Sequence, residues 1–515
     1  MRICLLDTIK LTNKTMLTIS DVVSISRGLV KLELSDDPDS ISTINKRSEA
    51  ISSVCQKGLK IYGITTGFGD SVDRDVSVEK TMQLQYNLAN FHGCGLGKRL
   101  SPVVAKAVMV CRVASLKNGY SGIGLNVLNR IVELIDKNII PVIPEEGSVG
   151  ASGDLTPLSY LAAVLYGDRK VFFGGEIRDT ADVYKELGIE PVIPKPKETL
   201  CIMNGTSVMT AIACFAFNRA EYITSLSARI TALASLALMA DPGHFDDRIF
   251  MAKPFPGQRK IAELIRKDYS GINYKYRIQA PYSIRCAPHV IGVLADSLPW
   301  MKNFIQTELN STNDNPLIDN QTGDFLHGGN FYGGHIAFAM DSMKSAVANI
   351  ADLLDRQFAL LADHKTNNGL PCNLTGASDT SINHGFKALQ IAVSSWTAEA
   401  LQKTMPLTSF SRSTECHNQD KVSMGTIAAR DCVRVLELTE QVCAATLLAF
   451  SQAVELRIKT GVFKECDLSD GVMSLKKAVL DIAGFVYEDR PLDAALEKLI
   501  DHVVKQNFSV EVPVL

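Results

Sequence analysis

Apolar residues recur at intervals of three and four over long stretches of this chain, and that spacing predicts α-helices. Between His335 and Lys365 there is no glycine or proline, and the apolar positions follow the helical period over several turns at Met340, Met343, Val347, Ile350, Leu354, Phe358 and Leu361. Similar patterns predict helices at about residues 384–403 and 424–456. The C-terminal part is therefore predicted to form a long helical bundle.

The N-terminal part has a more mixed pattern. Ser101 and Pro102 are typical of a helix start, and apolar residues continue that helix to Ser115. A second amphipathic stretch begins at Leu125, and a Gly-Gly pair within residues 171–177 predicts a small hairpin. We predict a mainly α protein, in which residues 1–200 form a smaller mixed part and residues 201–515 form a long central helical bundle.

Composition narrows the class of function. The chain has 53 Lys and Arg against 56 Asp and Glu, without a basic tract, which argues against nucleic acid or an anionic membrane as a partner. Its 12 cysteines form no Cys-x-x-Cys pair or Cys/His cluster, so neither a metal site nor a disulfide framework is indicated. No apolar stretch is long enough to span a bilayer. We expect a cytoplasmic protein that acts on a small molecule.

The segment from Gly150 to Asp154 carries the most distinctive chemistry. Ala-Ser-Gly can close on itself when the amide nitrogen of Gly153 attacks the carbonyl carbon of Ala151, and loss of two waters turns the Ser152 side chain into a methylidene electrophile. Gly153 lacks a Cβ, which lets its nitrogen approach that carbonyl. Asp154 is predicted to be the N-cap of the following helix. A plain helix-initiating turn is the alternative interpretation.

Further polar loops contain groups suited to binding an amino acid. Residues 62–69 form a glycine-rich loop that begins with Tyr62, a phenol that such a loop can hold over a site. Arg285 is a candidate clamp for a carboxylate, because a guanidinium matches two carboxylate oxygens with two donors. Asn313, in a polar turn, is a candidate substrate-binding residue, and Phe331 is a candidate wall of an aromatic pocket. A structural ion pair and a core phenylalanine are the alternatives at Arg285 and Phe331.

Taken in order, these motifs resemble the aromatic amino acid ammonia-lyases, the family of histidine, phenylalanine and tyrosine ammonia-lyases and the related aminomutases. The likeness covers almost the whole chain. Its motifs occur here in family order at residues 62–69, 150–154, 204–206, 279–285, 313–316, 328–331 and 418–420.

The resemblance implies a role for most of these residues. Ala151, Ser152 and Gly153 would form the methylidene-imidazolone (4-methylidene-imidazole-5-one) group, and Tyr62 would remove the β-proton. The other implied roles are support of that group by Asn204, contact with the reacting centre by Tyr282 and Gln279, and binding of the substrate carboxylate by Arg285. The resemblance also implies a mainly helical homotetramer in which several chains contribute to each active site, with tetramer contacts from residues 201–515.

Two positions bear on which substrate is used. Family members differ at a residue pair after Asn-Leu, which is Ser-His in histidine lyases, Phe-Leu in phenylalanine lyases and a His-containing pair in tyrosine lyases; here it is Phe91-His92. His92 can hydrogen-bond a ring hydroxyl or an imidazole nitrogen, or can be a core histidine. Histidine lyases carry a carboxylate where this chain has neutral Gln419, which favours tyrosine or phenylalanine as substrate, and His92 favours tyrosine over phenylalanine. Histidine ammonia-lyase, an aromatic 2,3-aminomutase and an inert helical scaffold are the alternatives.

Overall fold

The computed structural model describes residues 7–57, 59–269, 277–319 and 321–511. Contacts divide the chain into two compact units, each assembled from separate segments. Unit 1 comprises residues 1–215, 302–341 and 406–430, and unit 2 comprises residues 216–301, 342–405 and 431–515. The sequence-based division at residue 200 separates a catalytic part from a bundle, and that functional division stays a prediction.

Helices dominate the described residues, which confirms the predicted mainly α class. The α-helices are, in chain order, α1 Ile19–Ser26, α2 Pro38–Lys57, α3 Thr81–Phe91, α4 Pro102–Leu116, α5 Leu125–Asp136, α6 Leu155–Leu165, α7 Thr180–Leu187, α8 Glu198–Met203, α9 Ser207–Ala237, α10 Asp247–Met251, α11 Pro256–Asp268, α12 Tyr282–Arg285, α13 Ala287–Asn310, α14 Gly334–Ala362, α15 Lys387–Gln402, α16 Gly425–Lys459, α17 Asp470–Ala483 and α18 Asp493–Val504. Short 3₁₀ segments lie at Gly69–Asp73, Val78–Lys80, Pro242–Phe245, Cys372–Leu374 and Glu465–Asp467.

The strands of the described residues all belong to unit 1 and form four small sheets. They are β1 Thr8–Leu11, β2 Lys31–Leu34, β3 Leu96–Arg99, β4 Ile140–Pro141, β5 Pro144–Glu146, β6 Lys170–Phe173, β7 Glu176–Asp179, β8 Leu317–Ile318 and β9 Phe325–Leu326. β1 and β2 are parallel, while the pairs β3–β5 and β8–β9 and the sheet β4-β6-β7 are antiparallel. These strands connect helices rather than forming a core sheet.

Local signals in unit 1 placed its elements accurately. The Ser101 hydroxyl accepts a hydrogen bond from the Val104 N–H at 3.3 Å, so α4 begins where its cap predicts. The predicted hairpin is β6–β7, in which Phe173 pairs with Glu176 across the turn. Gly174 and Gly175 have φ of 62° and 86°, values that a two-residue hairpin turn requires and that glycine adopts without strain.

The apolar stripes of the long helices form the core of unit 2. The predicted positions on α14 from Met343 to Leu361 are buried, and the Phe358 ring meets the Phe450 ring of α16 edge to face, with centroids 5.9 Å apart. Each stripe repeats with the helical period, so burying it against another helix removes a continuous apolar surface from water. Among the described residues, no helix has both the length and the apolar character needed to cross a membrane.

Candidate active site

One cavity in unit 1 collects many of the predicted site residues. It has a volume of about 860 Å³, a size suited to a small-molecule ligand. Its lining includes the predicted catalytic residues Tyr62, Ala151, Ser152 and Asn204 and the predicted substrate-binding residues Phe91, His92, Phe331 and Gln419. Residues far apart in sequence, from 62 to 419, therefore converge on one space.

The Ala-Ser-Gly segment at the cavity is folded tightly against Gly205. The Gly205 N–H donates to the Ser152 carbonyl at 3.2 Å, and the Asp154 N–H donates to the Gly205 carbonyl at 2.7 Å. Gly153 has φ +75°, and a Cβ at that position would lie 2.2 Å from the Gly205 carbonyl oxygen. No residue other than glycine fits there without moving the backbone of the partner segment.

Asp154 connects this segment to the start of another helix, which corrects the prediction that its side chain caps the helix that follows it. It directly precedes α6, yet its side chain makes no capping hydrogen bond to that helix. Its buried carboxylate instead accepts from the N–H groups of Val208 and Met209, at 3.0 and 2.9 Å, in the first turn of α9. Thr426 also donates to it. Asp154 thus caps α9 across space, because the positive end of that helix offers free N–H donors.

Asn204 is held by a buried ion pair that the sequence did not indicate. The Asn204 side-chain amide donates to Asp314 Oδ1 and to the Asn315 carbonyl, each at 3.0 Å. The other oxygen of Asp314 lies 2.7 Å from Lys197 Nζ, and neither side chain is exposed. Burial lowers the pKa of Lys197, but the attraction and hydrogen bonds of Asp314 and Cys201 together outweigh it, so the pKa is raised overall. The ammonium therefore stays charged and fixes the Asp314 carboxylate.

Arg112 holds the backbone on both sides of the Asn204 contacts. It is fully buried in α4 and donates to the backbone carbonyls of Cys201, Asn204 and Asn313. The Asn313 side chain is turned away from solvent and donates to Glu308 at 2.8 Å. Asn313 is not among the cavity-lining residues, and its proposed contact with substrate stays a prediction.

Tyr62 lies at the cavity wall with its phenol oxygen held by the backbone. The Gly69 N–H donates to Tyr62 Oη at 2.9 Å. Burial raises the pKa of the Tyr62 phenol, while the Gly69 hydrogen bond lowers it and the nearby charge of Glu415 raises it; the net change is upward. The Gly69 N–H would stabilise a phenolate at this position.

His92 presents a neutral ring to the cavity. Its Nδ1 lies 3.0 Å from the Leu88 carbonyl, which only accepts, so Nδ1 carries the proton of this contact. Burial lowers the His92 pKa, so the ring is neutral and Nε2 is a hydrogen-bond acceptor. The neighbouring Phe91 is 60% exposed, and its ring centroid is 4.3 Å from that of His92.

Gln419 approaches the predicted prosthetic-group serine. Its side-chain Nε2 lies 3.4 Å from Ser152 Oγ, and its Oε1 accepts from Thr414 at 3.2 Å. Residues 414–419 form a small hairpin, closed by hydrogen bonds from the Thr414 N–H to the Gln419 carbonyl and from the Gln419 N–H to the Thr414 carbonyl.

Three predicted site residues belong to unit 2 and do not line this cavity: Gln279, Tyr282 and Arg285. The Tyr282 side chain is 71% exposed, and the Arg285 guanidinium stacks over its ring at 4.6 Å. Arg285 Nε donates to the Ala280 carbonyl at 3.1 Å. Their proposed roles stay predictions, which the resemblance assigns to a site shared between chains.

Sequence reasoning missed Arg112, Lys197, Asp314 and Glu415, which surround the segments that carry the site. Arg112 had a signal, since it is the one charge within the apolar run from residue 107 to residue 116. Asp314 lies within the 313–316 motif, but its pairing with Lys197 had no signal, because the two residues are far apart in sequence and meet only in the folded chain. Glu415 reaches the cavity through the 414–419 hairpin.

Comparison with known proteins agrees with this geometry. The model of the family described as aromatic amino acid lyase matches residues 17–478. Histidine ammonia-lyase from Caldanaerobacter subterraneus subsp. tengcongensis is 35% identical over 446 residues, 86% of this chain and 87% of that protein. Histidine ammonia-lyase from Bacillus subtilis is 33% identical over 96% of each chain. A solved structure of tyrosine aminomutase from Streptomyces globisporus has a TM-score of 0.90 at 28% identity, covering 99% of this chain and 100% of that one.

The family match and the ammonia-lyase relatives thus identify the chain as an enzyme that cleaves a carbon–nitrogen bond. This chain belongs to the aromatic amino acid lyase family.

Proposed function

We propose that this protein is an ammonia-lyase that eliminates ammonia from an aromatic L-amino acid, with L-histidine as the first candidate substrate and L-tyrosine as the second. The observation that carries the proposal is the convergence of Tyr62, Ser152 and Asn204 on one cavity. Elimination needs a base to remove the weakly acidic β-proton. It also needs an electrophile to bind the amine, which is a poor leaving group. The cavity brings together the Tyr62 phenol, which can act as the base, and the Ala-Ser-Gly segment, which can form the electrophile.

The residues present fit a methylidene-imidazolone group made from Ala151, Ser152 and Gly153. The contacts with Gly205 use the Ser152 carbonyl and the Asp154 N–H, so in the described structure these two hydrogen bonds do not engage the Gly153 amide nitrogen that ring closure requires. Asn204 Oδ1 is buried beside the cavity without a hydrogen-bond partner among the described residues. When present, the group would supply an electrophile toward the substrate amine.

The chain's own residues then bind and orient the substrate. Tyr62 Oη, which accepts from the Gly69 N–H, would take the β-proton, and the same N–H would stabilise the phenolate that must form first. His92 Nε2 would accept a hydrogen bond from a substrate ring. Arg285 would bind the carboxylate from another chain of the tetramer.

The tyrosine preference, expected from Gln419 and His92 together, gives way to histidine because of the relatives. Relatives 33 to 35% identical over most of this chain carry the name histidine ammonia-lyase. His92 is compatible with this substrate, because histidine lyases also carry a histidine as the second member of the pair and its acceptor Nε2 suits an imidazole N–H. Tyrosine remains the second candidate because its hydroxyl can donate to the same nitrogen and because tyrosine aminomutases are close in fold.

A substrate comparison tests the proposal. The purified protein is incubated separately with L-histidine, L-tyrosine and L-phenylalanine, and ammonia and the unsaturated acid are quantified. We expect urocanate from histidine at the highest kcat/KM. A β-amino acid as the main product would identify an aminomutase, and no turnover of any of the three would refute the lyase assignment.

Activity is expected to rise toward alkaline pH. The base must be deprotonated, and burial raises the Tyr62 pKa above the ordinary value for a tyrosine. At neutral pH most molecules therefore hold the neutral phenol, and raising the pH increases the phenolate fraction. The measurement is kcat/KM across the range in which the protein stays folded, and a profile that falls on the alkaline side of neutrality would contradict this assignment of the base.

Replacing His92 by leucine is expected to favour phenylalanine over substrates with a polar ring. The variant removes the Nε2 acceptor, so kcat/KM for histidine and tyrosine should fall about 10-fold relative to phenylalanine, the value of one hydrogen bond. Leucine at Phe91 is the matched control, because Phe91 neighbours His92 but offers no acceptor. Unchanged relative kcat/KM values would identify His92 as a structural residue.

A further inference from the structure

The last turn of α3 carries the Phe91-His92 pair and is closed by side chains. The final carbonyl groups of a helix have no partner within the helix itself. Here the Leu88 carbonyl accepts from His92 Nδ1 at 3.0 Å, and the Ala89 carbonyl accepts from Arg169 Nη2 at 2.6 Å. A guanidinium is favoured at this end of a helix, because the helix dipole places partial negative charge there. Arg169 therefore holds the turn from outside the helix.

A second nitrogen of Arg169 reaches the same turn through Ser159 of α6. Arg169 Nη1 donates to the Ser159 hydroxyl at 3.0 Å, and that hydroxyl lies 3.2 Å from the His92 carbonyl. The Thr156 carbonyl, earlier in the same helix, lies 2.7 Å from this hydroxyl. Because α6 begins two residues after Gly153, it connects the Ala-Ser-Gly segment with the turn that carries His92.

The Arg169 guanidinium is itself fixed by its surroundings. It stacks over the Tyr160 ring, with Cζ 4.3 Å from the ring centroid. A Cβ on Gly93 would lie 2.3 Å from Arg169 Nη2, so glycine directly after His92 leaves room for the guanidinium. Arg169 has a left-handed backbone, φ +62°, and its carbonyl accepts from the Thr180 N–H at 2.9 Å. A non-glycine residue keeps such a backbone only where its surroundings hold it.

The charge of Arg169 acts on His92 in the same direction as burial. Burial is the main cause that lowers the His92 pKa, the Leu88 carbonyl raises it, and the guanidinium lowers it further. A neutral imidazole has one nitrogen free to accept a hydrogen bond, whereas a protonated one only donates. A substrate N–H or O–H can therefore bind His92 Nε2 only while the ring is neutral, and a phenyl ring offers no such group.

We propose that Arg169 is a positioning residue for selection of the substrate ring, because it fixes the last turn of α3 so that His92 presents its acceptor Nε2 to the cavity. Arg169 acts through His92 and not by contact with substrate: His92 lines the cavity, and Arg169 is not among the lining residues. The inference rests on the proposed function and applies to histidine and tyrosine alike, since the ring of each carries a donor.

The test is the variant Arg169→Met, alone and combined with His92→Leu. Methionine keeps an unbranched side chain but has no donor for the Ala89 carbonyl or the Ser159 hydroxyl. We expect kcat/KM for histidine and tyrosine to fall about 10-fold relative to phenylalanine, the value of one hydrogen bond. In the His92→Leu background the same replacement should change this ratio less than about 2-fold, because the effects of two residues that act as a unit do not add.

Arg178→Met is the matched control. Arg178 lies on β7, where it pairs with Glu186 at 2.7 Å and stacks over Phe173, so its loss should leave the ratio unchanged. Ser159→Ala is a second, milder variant, which removes only the hydroxyl between Arg169 and the His92 carbonyl. It should shift the ratio in the same direction by a smaller factor, and it decides the question if Arg169→Met does not fold.

The outcomes separate this inference from the proposed function. An equal fall of kcat/KM for all three substrates, or an unchanged ratio, would overturn the inference while the lyase activity stands. A selective fall that persists in the His92→Leu background would also overturn it, because Arg169 would not act through His92. Calorimetric binding of L-histidine, L-tyrosine and L-phenylalanine gives the same comparison without turnover. Binding without ammonia release overturns the proposed function alone, and absence of histidine and tyrosine binding by the unaltered protein overturns the inference.

Discussion

Replacing Ser152 by alanine should abolish both the activity and a mass change of the chain. The hydroxyl of Ser152 is the group that leaves when the Ala-Ser-Gly segment becomes an electrophile, and alanine has none to lose. Intact-mass measurement should find the unaltered protein lighter than its sequence by two water molecules and the variant closer to its full sequence mass. Ammonia release should fall by about three orders of magnitude or more, as expected when a group essential to covalent chemistry is removed.

Ser148→Ala is the matched control for that experiment. Ser148 lies in the same segment, where its hydroxyl accepts from the Gly150 N–H at 3.2 Å and lies 3.1 Å from Asp154 Oδ1, but it is not the hydroxyl that leaves. This variant should keep the mass loss, although some activity can be lost with the support of the loop. Full sequence mass in the unaltered protein, together with undiminished ammonia release from Ser152→Ala, would show that Ser152 has no part in the chemistry.

The sequence predicted the helices well because their signals are local. The stripe from Met340 to Leu361 and the Ser101-Pro102 start depend on residues within a few turns of each other, and the structure places α14 and α4 at those positions. The Ala-Ser-Gly segment and Tyr62 were predicted from their chemistry and from the order of the motifs. That both line one cavity depends on tertiary packing, which no local sequence pattern predicts.

The polar contacts beneath the site illustrate what local patterns omit. Asp154 had every sign of an N-cap, but the nearest unsatisfied donors in space belong to α9, and the carboxylate binds there. Glu415 gave no signal in the sequence, yet the left-handed turn at residues 415–417 brings it to the cavity wall. In both cases the contact joins residues that are far apart in sequence.

Replacing Lys197 by methionine should have the largest effect on stability. Methionine has a similar volume and lacks the charge, so Asp314 would remain buried as an unpaired carboxylate beside Asn204. Removing one partner of a buried ion pair typically costs about 3–5 kcal/mol. Both side chains at 197 occupy the same left-handed backbone, φ +73°, so the difference isolates the ammonium. The measurement is the free energy of unfolding by urea, with a parallel fall in activity as Asn204 loses its anchor.

Two further variants test whether the unpaired Asp314 charge causes the loss of stability in Lys197→Met. Lys137→Met removes a lysine from an ion pair with Glu133 on the surface of α5, and such exposed pairs are worth about 0–1 kcal/mol, so it should be nearly neutral. Adding Asp314→Asn to Lys197→Met removes the stranded charge while keeping an oxygen for Asn204, and should recover a large share of the lost stability. If Lys197→Met is as mild as Lys137→Met, the pair does not hold Asn204 in place. If the double variant is no better than the single one, the loss comes from packing around the Lys197 side chain rather than from its charge.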